Sequence, residues 1–196
     1  MADAALKLPA LMTVAEFLDW PGDGTDTRYE LVDGVLRAMA PASDAHGTIM
    51  INVAAAIHRQ LRGSRPNCRV VGAPGIQPHL GADWNFRIPD LGVTCSPNRQ
   101  GEIMMPLPVL LVEVLSPGNA SKTWENVRAY STLPSVREIL VLHQSRIRAE
   151  LLLRDQAGHW PSNSHAIEAG GTVTLTSIDV GFAIQEAYIG THLEAG

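Results

Sequence analysis

The sequence predicts a single mixed α/β domain, a sheet flanked by helices. Three observations lead there. Segments of helical and strand periodicity alternate along the chain: a helix, a hairpin, a helix, several strands, a helix and more strands. The run PVLLVEVL, residues 108–115, is continuously apolar over the length of one strand, the pattern of a strand buried on both faces. No internal repeat and no long linker divides the 196 residues, a length that fits one domain.

Each element carries its own signal. TVAEFLDWPG opens on Thr13 with Glu16 three residues on, a capping-box pattern, and Pro21-Gly22 ends that helix. RYELVDGVLRAMA reads as two short strands around Asp33-Gly34. PASDAHG reads as a polar connector. From Thr48 to Gly63 the apolar residues 49, 50, 53, 54, 57 and 61 recur at helical spacing, with His58, Arg59 and Arg62 in the last turns, where the helix dipole favours cations. CRVVGAPGIQPHL and RIPDLGVTC read as strands around the loop GADWN. NASKTWENVRAYSTLP reads as a helix and REILVLHQ as a second buried strand. RIRAELLLRDQAGHW reads as a strand, a turn at Gln156–Gly158 and a return. GGTVTLTSIDV alternates as a strand, and FAIQEAYIGT reads as a short helix.

Bulk composition narrows the class. With 45% apolar and 18% charged residues, a packed core is expected rather than disorder. A net charge of −5 excludes a broad basic nucleic-acid surface. It leaves room for a nuclease, whose acidic site reaches phosphate through a metal ion. Cys68 and Cys95 lack metal-ligand spacing and are expected to be reduced, as in a cytoplasmic protein. No apolar run is long enough for a membrane span, and MADAALKLPALMT does not read as a signal peptide.

The chemistry concentrates in acids. Glu113 has apolar neighbours on both sides, and a carboxylate buried there costs several kcal/mol unless paired. Asp90, behind a proline, heads a strand 23 positions earlier (113 − 90). If the two strands are neighbours, both carboxylates converge, and a shared proton or a bound cation relieves their repulsion. Hard oxygen donors suit Mg²⁺ or Mn²⁺. Glu30, between Tyr29 and Leu31, is a third candidate whose direction periodicity leaves undetermined. Other readings stand beside these: Asp90 as a turn residue, Glu30 exposed on its strand, and Glu113 paired with an arginine such as Arg137.

The ordered series RYELVDGVL, His46-Gly47, IPDLGV, VLLVEVLSPGN and RAYSTLPSVREILVL resembles the Uma family of restriction-endonuclease-like proteins, within the PD-(D/E)xK nuclease superfamily. The resemblance runs from about residue 12 to about residue 190. It implies a restriction-endonuclease-like mixed β-sheet flanked by helices and an Mg²⁺-dependent endonuclease acting on DNA, with a homodimer as the family's habit. It implies Asp90 and Glu113 as metal ligands, Glu30 completing the shell, and His46 as a phosphate or water contact. As a lone histidine before a glycine, His46 also reads as a helix-cap or loop residue.

The superfamily lysine two residues after the second acid is replaced by Leu115. The position that Uma-type sequences use in the following helix is held by Asn126. Lys122 lies four residues earlier on about the same face (126 − 122) and is the candidate cation, although a first-turn lysine is also commonly solvated. Arg128 and Arg87 are weaker substitutes. Arg87, Arg59 and Arg62 are candidate nucleic-acid contacts. The alternative is a catalytically degenerate nuclease fold used for DNA binding or assembly, with GGTVTLTSI offering an edge or apolar face for dimerisation.

Overall fold

The structure is a computed structural model that describes residues 11–194; residues 1–10, most of the segment expected not to be a signal peptide, lie outside the described residues. Helix α1 spans Val14–Asp19 and is closed by the expected capping box, with Thr13 N donating to Glu16 Oε2 at 2.7 Å. The hairpin β1 (Tyr29–Val32) and β2 (Val35–Ala38) turns at Asp33-Gly34. Both turn residues are left-handed, with φ 49° and 80°. That geometry is the one a two-residue hairpin of the right twist requires. Asn85 clamps the turn by donating to Asp33 Oδ1 at 2.9 Å.

Helix α2 spans Asp44–Ser64 and begins four residues before the expected start. The DAHG segment is its first turn, exposed at Asp44 and half-buried from Ala45 to Gly47, capped by Ser43 Oγ accepting from the His46 amide at 3.3 Å. His46 is therefore a helical residue. Helix α3 spans Ala120–Tyr130.

Strands β3 (Arg69–Gly72), β4 (Leu91–Thr94), β5 (Pro108–Leu115), β6 (Glu138–His143), β7 (Arg148–Leu153) and β8 (His165–Glu168) form one six-stranded sheet in that spatial order. Only β5 and β6 are parallel, and α3 is their crossover. The residues of CRVVGAPGIQPHL after Gly72 are irregular apart from isolated bridges at Gly75 and Ile76. The return of RIRAELLLRDQAGHW comes later than expected, at β8. A second hairpin, β9 (Thr172–Leu175) with β10 (Val180–Ala183), packs beside α2. FAIQEAYIGT is corrected: Phe182 and Ala183 finish β10, and only Ile184–Tyr188 winds into a 3₁₀ turn.

Period-two alternation divides the core. Leu110, Val112 and Val114 of β5 face α2, while Leu111 and Leu115 face α3 with Tyr130 and Val136. The β9–β10 hairpin spends its apolar face on the α2 layer: Val173, Leu175, Val180 and Phe182 are all buried. It does not offer that face to a partner.

The cysteine expectation is overturned. Arg69 pairs with Thr94, so the register carries Cys68 opposite Cys95, and the two form a disulfide that ties the start of β3 to the end of β4. Sequence spacing alone does not show that strand register brings residues 27 apart side by side. Among the described residues, no helix is long and apolar enough to cross a membrane.

Glu138 is fully buried at the head of β6. Its two oxygens accept from the amides and hydroxyls of Thr176 and Ser177 at 2.5–3.1 Å, pinning the β9–β10 turn to the sheet. Removing it leaves four donors with one acceptor site fewer each. Glu138→Ala is expected to cost about 3 kcal/mol in urea unfolding, the usual range for breaking a buried charged network. A loss below about 1 kcal/mol, typical of a surface substitution, would refute this role.

Candidate active site

The acids meet because of register. Leu91 of β4 lies opposite Val112 of β5, and one step back along β4 sets Asp90 opposite Glu113. Both then point to the α3 side, since Leu91 and Val112 point to the α2 side. Asp90 Oδ2 accepts from the Val114 amide at 2.6 Å, so the carboxylate also continues the ladder beyond β4. His46 reaches in from the first turn of α2 and places Nε2 2.9 Å from Asp90 Oδ1. Its Nδ1 stands 3.5 Å from Ser116 Oγ, which donates to Gln144 Oε1 at 2.8 Å.

Glu30 turns inward from β1 and is fully buried. Its Oε1 accepts from the Ile88 amide at 3.0 Å, joining the hairpin to the segment ahead of β4. Its Oε2 lies 2.9 Å from Lys122 Nζ. Lys122, Asn126 and Tyr130 stand four residues apart along one ridge of α3, and all three point at the acids. Tyr130 donates to Glu113 Oε1 at 2.6 Å. Asn126 Nδ2 lies 3.4 Å from both Glu30 Oε1 and Glu113 Oε1, a neutral amide between two carboxylates.

Glu113 therefore faces a tyrosine and an asparagine rather than an arginine, and Arg137 is exposed. Burial pushes its carboxyl well above the usual range, and the charges of Asp90 and Glu30 push the same way against the hydrogen bonds from Tyr130 and Asn126. The Tyr130 phenol is raised as well, first by burial and then by the Glu113 and Glu30 carboxylates.

Asp90, Glu113, Glu30, His46 and Lys122 all line one cavity of about 620 Å³. The predicted site residues that stay outside it are the arginines. Arg87 is 4% exposed, and its Nη1 donates to the Leu31 carbonyl at 2.5 Å, so it braces the hairpin rather than facing a ligand. Arg59 is paired with Glu186 at 3.2 Å, 13 residues along α2 from His46 (59 − 46), or about 20 Å at the helical rise. Arg62 lies further still. Arg128 is on the exposed face of α3. Tyr130 and Ser116 escaped the sequence reading. The four-residue step that places Lys122 on the face of Asn126 continues to Tyr130, and it was the signal available for the tyrosine.

Among the described residues, no three His, Cys, Asp or Glu side chains form a ready-made cation cage. The donor chemistry nonetheless suits a hard divalent ion. Asp90 and Glu113 supply carboxylate oxygens on one face of neighbouring strands, and their mutual repulsion is met by no cation of their own, since Lys122 is engaged with Glu30.

A mixed sheet thus carries two acids, at the head of β4 and within β5, beside a basic residue on the crossover helix. The comparisons agree on the class. The chain belongs to the Uma2 family, described as "Putative restriction endonuclease", whose model matches residues 14–185. It is similar in structure to a "putative nuclease belonging to DUF820" from Anabaena variabilis, with a TM-score of 0.71 and 16% identity. That likeness covers 90% of this chain and 97% of the other, and it establishes the shared fold. No curated protein sequence matches the chain.

The raised Glu113 carboxyl has a consequence for stability. A carboxyl whose folded pKa exceeds its unfolded value of about 4.5 binds its proton more tightly when folded, so the metal-free protein loses stability as pH rises from that value toward the folded one. Glu113→Gln keeps an acceptor for Tyr130 and removes the charge. Without metal at pH 7–8 it is expected to melt about 3 °C or more above wild type, the shift that ~1 kcal/mol gives in a domain of this size. The gain should vanish near pH 4; an equal or lower melting temperature at pH 8 would contradict the assignment.

Proposed function

We propose that the protein is a metal-dependent endonuclease that hydrolyses phosphodiester bonds in DNA. The observation that carries this reading is the convergence of Asp90 and Glu113 on one cavity, with Glu113 held against its own charge. Asp90 and Glu113 would hold Mg²⁺ or Mn²⁺, and Glu30 would assist from the hairpin. When bound, such an ion polarises the phosphate and lowers the pKa of a coordinated water.

The chain's own residues supply the rest. His46 fixes Asp90 through its Nε2 and presents an imidazole at the cavity wall, where it orients a water or a phosphate oxygen. Tyr130 sets the rotamer of Glu113. Among the described residues Lys122 is the lysine that lines the cavity, and it balances negative charge developing on the phosphate. In the net reaction a water oxygen forms a new bond to phosphorus and gives up one proton to solvent. The leaving oxygen departs with the electron pair of the old bond and takes a proton from solvent.

The degenerate alternative has one observation in its favour, the 2.9 Å pairing of Lys122 with Glu30, which occupies the cation at rest. The same contact brings the ammonium into the cavity, one helical turn from the position that Asn126 fills. Cleavage of supercoiled DNA separates the two readings.

Wild type is expected to cut with Mn²⁺ or Mg²⁺, and Asp90→Ala and Glu113→Ala to abolish cutting. Lys122→Ala should lower the rate by about 10²–10³, the usual loss of one charge-stabilising donor. In parallel, Mn²⁺ should raise the melting temperature of wild type and Lys122→Ala but not of Asp90→Ala. A metal-induced shift without cleavage under any condition favours the binding module. Absence of both shift and cleavage sinks the metal-site reading.

A further inference from the structure

A second cavity, of about 340 Å³, opens beside the first, and the two share Arg28, Ala73 and Ile88 as a common ridge. Its character differs from the acidic site: Tyr29, Phe86 and Ile103 form its walls, and no carboxylate lines it. Ile103 is 63% exposed, an apolar side chain left facing solvent at the rim.

The aromatic walls are built and braced. Tyr29 is stacked edge-on by Trp20 at 5.3 Å between ring centroids, and its hydroxyl donates to Asp23 Oδ2 at 2.7 Å. Phe86 is packed by Phe17 at 5.3 Å. Helix α1 and the residue after it thus fix both rings, which is a second use for a helix that contributes nothing to the acids. The floor is glycine. A Cβ on Gly75 would come within 2.4 Å of the Phe86 ring, so only glycine lets the edge of that ring approach the chain this closely. Between the cavities Ala73 holds a left-handed φ of 48°, uncommon for a residue with a side chain, and its amide donates to the Asp90 carbonyl at 2.9 Å.

Arg28 tops the ridge. It is exposed and pairs with no carboxylate among the described residues, unlike Arg37, Arg59 and Arg148. A free guanidinium between an acidic cavity and a rigid apolar one complements an anion that carries a flat apolar group one step away. A nucleotide has that form. A base within a duplex is stacked and paired, whereas the recess requires one that is free to enter.

We propose that the second cavity is a nucleobase subsite and that the substrate is single-stranded DNA. Arg28 holds the phosphate adjoining the scissile one, and the neighbouring unpaired base lodges between Tyr29, Phe86 and Ile103. This inference rests on the nuclease reading above and adds the form of the substrate to it.

The test measures binding apart from cleavage. A short fluorescein-labelled oligothymidylate is titrated with wild type, Arg28→Ala, Gly72→Leu and Ile103→Glu in Ca²⁺ buffer, with fluorescence anisotropy as the readout. Gly72 lines the recess, and a Cβ there meets nothing within 4 Å, so leucine adds bulk at the recess without disturbing the fold. Wild type is expected to bind the oligomer about ten-fold more tightly than a duplex of equal length, and each variant to weaken oligomer binding about ten-fold, the usual value of one base stack or phosphate contact. The Mn²⁺ thermal shift should be unchanged in all three. If Gly72→Leu and Ile103→Glu bind like wild type, or the duplex binds as tightly as the oligomer, the subsite is overturned; cleavage that continues in Mn²⁺ then leaves the nuclease reading standing. A wild type that neither binds nor cuts overturns both.

Discussion

A carboxylate inside a sheet is the constraint on which the rest of this molecule depends. β5 is covered on both faces and flanked by β4 and β6, so Glu113 has no route to bulk water along its own strand. Such a group costs several kcal/mol unless neighbours supply donors. Tyr130 and Asn126 supply them, which fixes the rotation of α3 about its axis: the ridge carrying these residues faces the acids, and Val127 turns toward the apolar layer. The hairpin is fixed from the same side, because Glu30 is bonded both to the Ile88 amide and to Lys122. Two buried carboxyls, Glu113 and Glu30, therefore set the placement of a helix and a hairpin that are far apart in sequence.

Two buried glutamates show what distinguishes a structural acid from a reactive one. Glu138 begins the next strand and is more completely buried than Glu113, yet four donors from Thr176 and Ser177 surround it, and no other acid takes part. Glu113 has one short hydrogen bond, one long one and two carboxylates nearby. Burial is common to both. The deficit of compensation belongs to Glu113 alone, and it is found beside a cavity.

Much of this was legible in the sequence because local rules governed it. The capping box at Thr13, the left-handed pair Asp33-Gly34 and the strand-length run PVLLVEVL each formed as their residues dictate. What escaped depended on register or on distant partners. The first turn of α2 reads as a connector because it lacks apolar periodicity: Asp44 faces solvent, His46 is spent on Asp90, and only the Ser43 cap marks it. The disulfide needs the β3–β4 pairing, which cysteine spacing does not encode. Glu30 had no readable direction because a four-residue strand offers too few alternations, and its inward turn is decided by Lys122 and Ile88. The basic end of α2 looked like a phosphate contact by charge alone, whereas Arg59 is engaged with Glu186 and lies far from the acids.

Lys122, proposed as the displaced cation, fits the same logic. Moving a cation back by four residues shifts its Cα about 6 Å along α3 while keeping it on the ridge. The long Lys122 stem then reaches Glu30 instead of the gap between Glu30 and Glu113, and that gap receives the amide of Asn126. The three acids end up unequally compensated. Glu30 has a full positive charge and an amide N–H, and Asp90 has the Val114 amide and the His46 ring. Glu113 has only neutral donors, so of the three it gains most from an added positive charge, and Asp90 opposite it is the nearest second ligand the strand register offers. A lysine between the carboxylates would have spent that gain within the protein. In this chain the rearrangement leaves it at the Asp90–Glu113 face of the cavity, where the proposed reaction needs it.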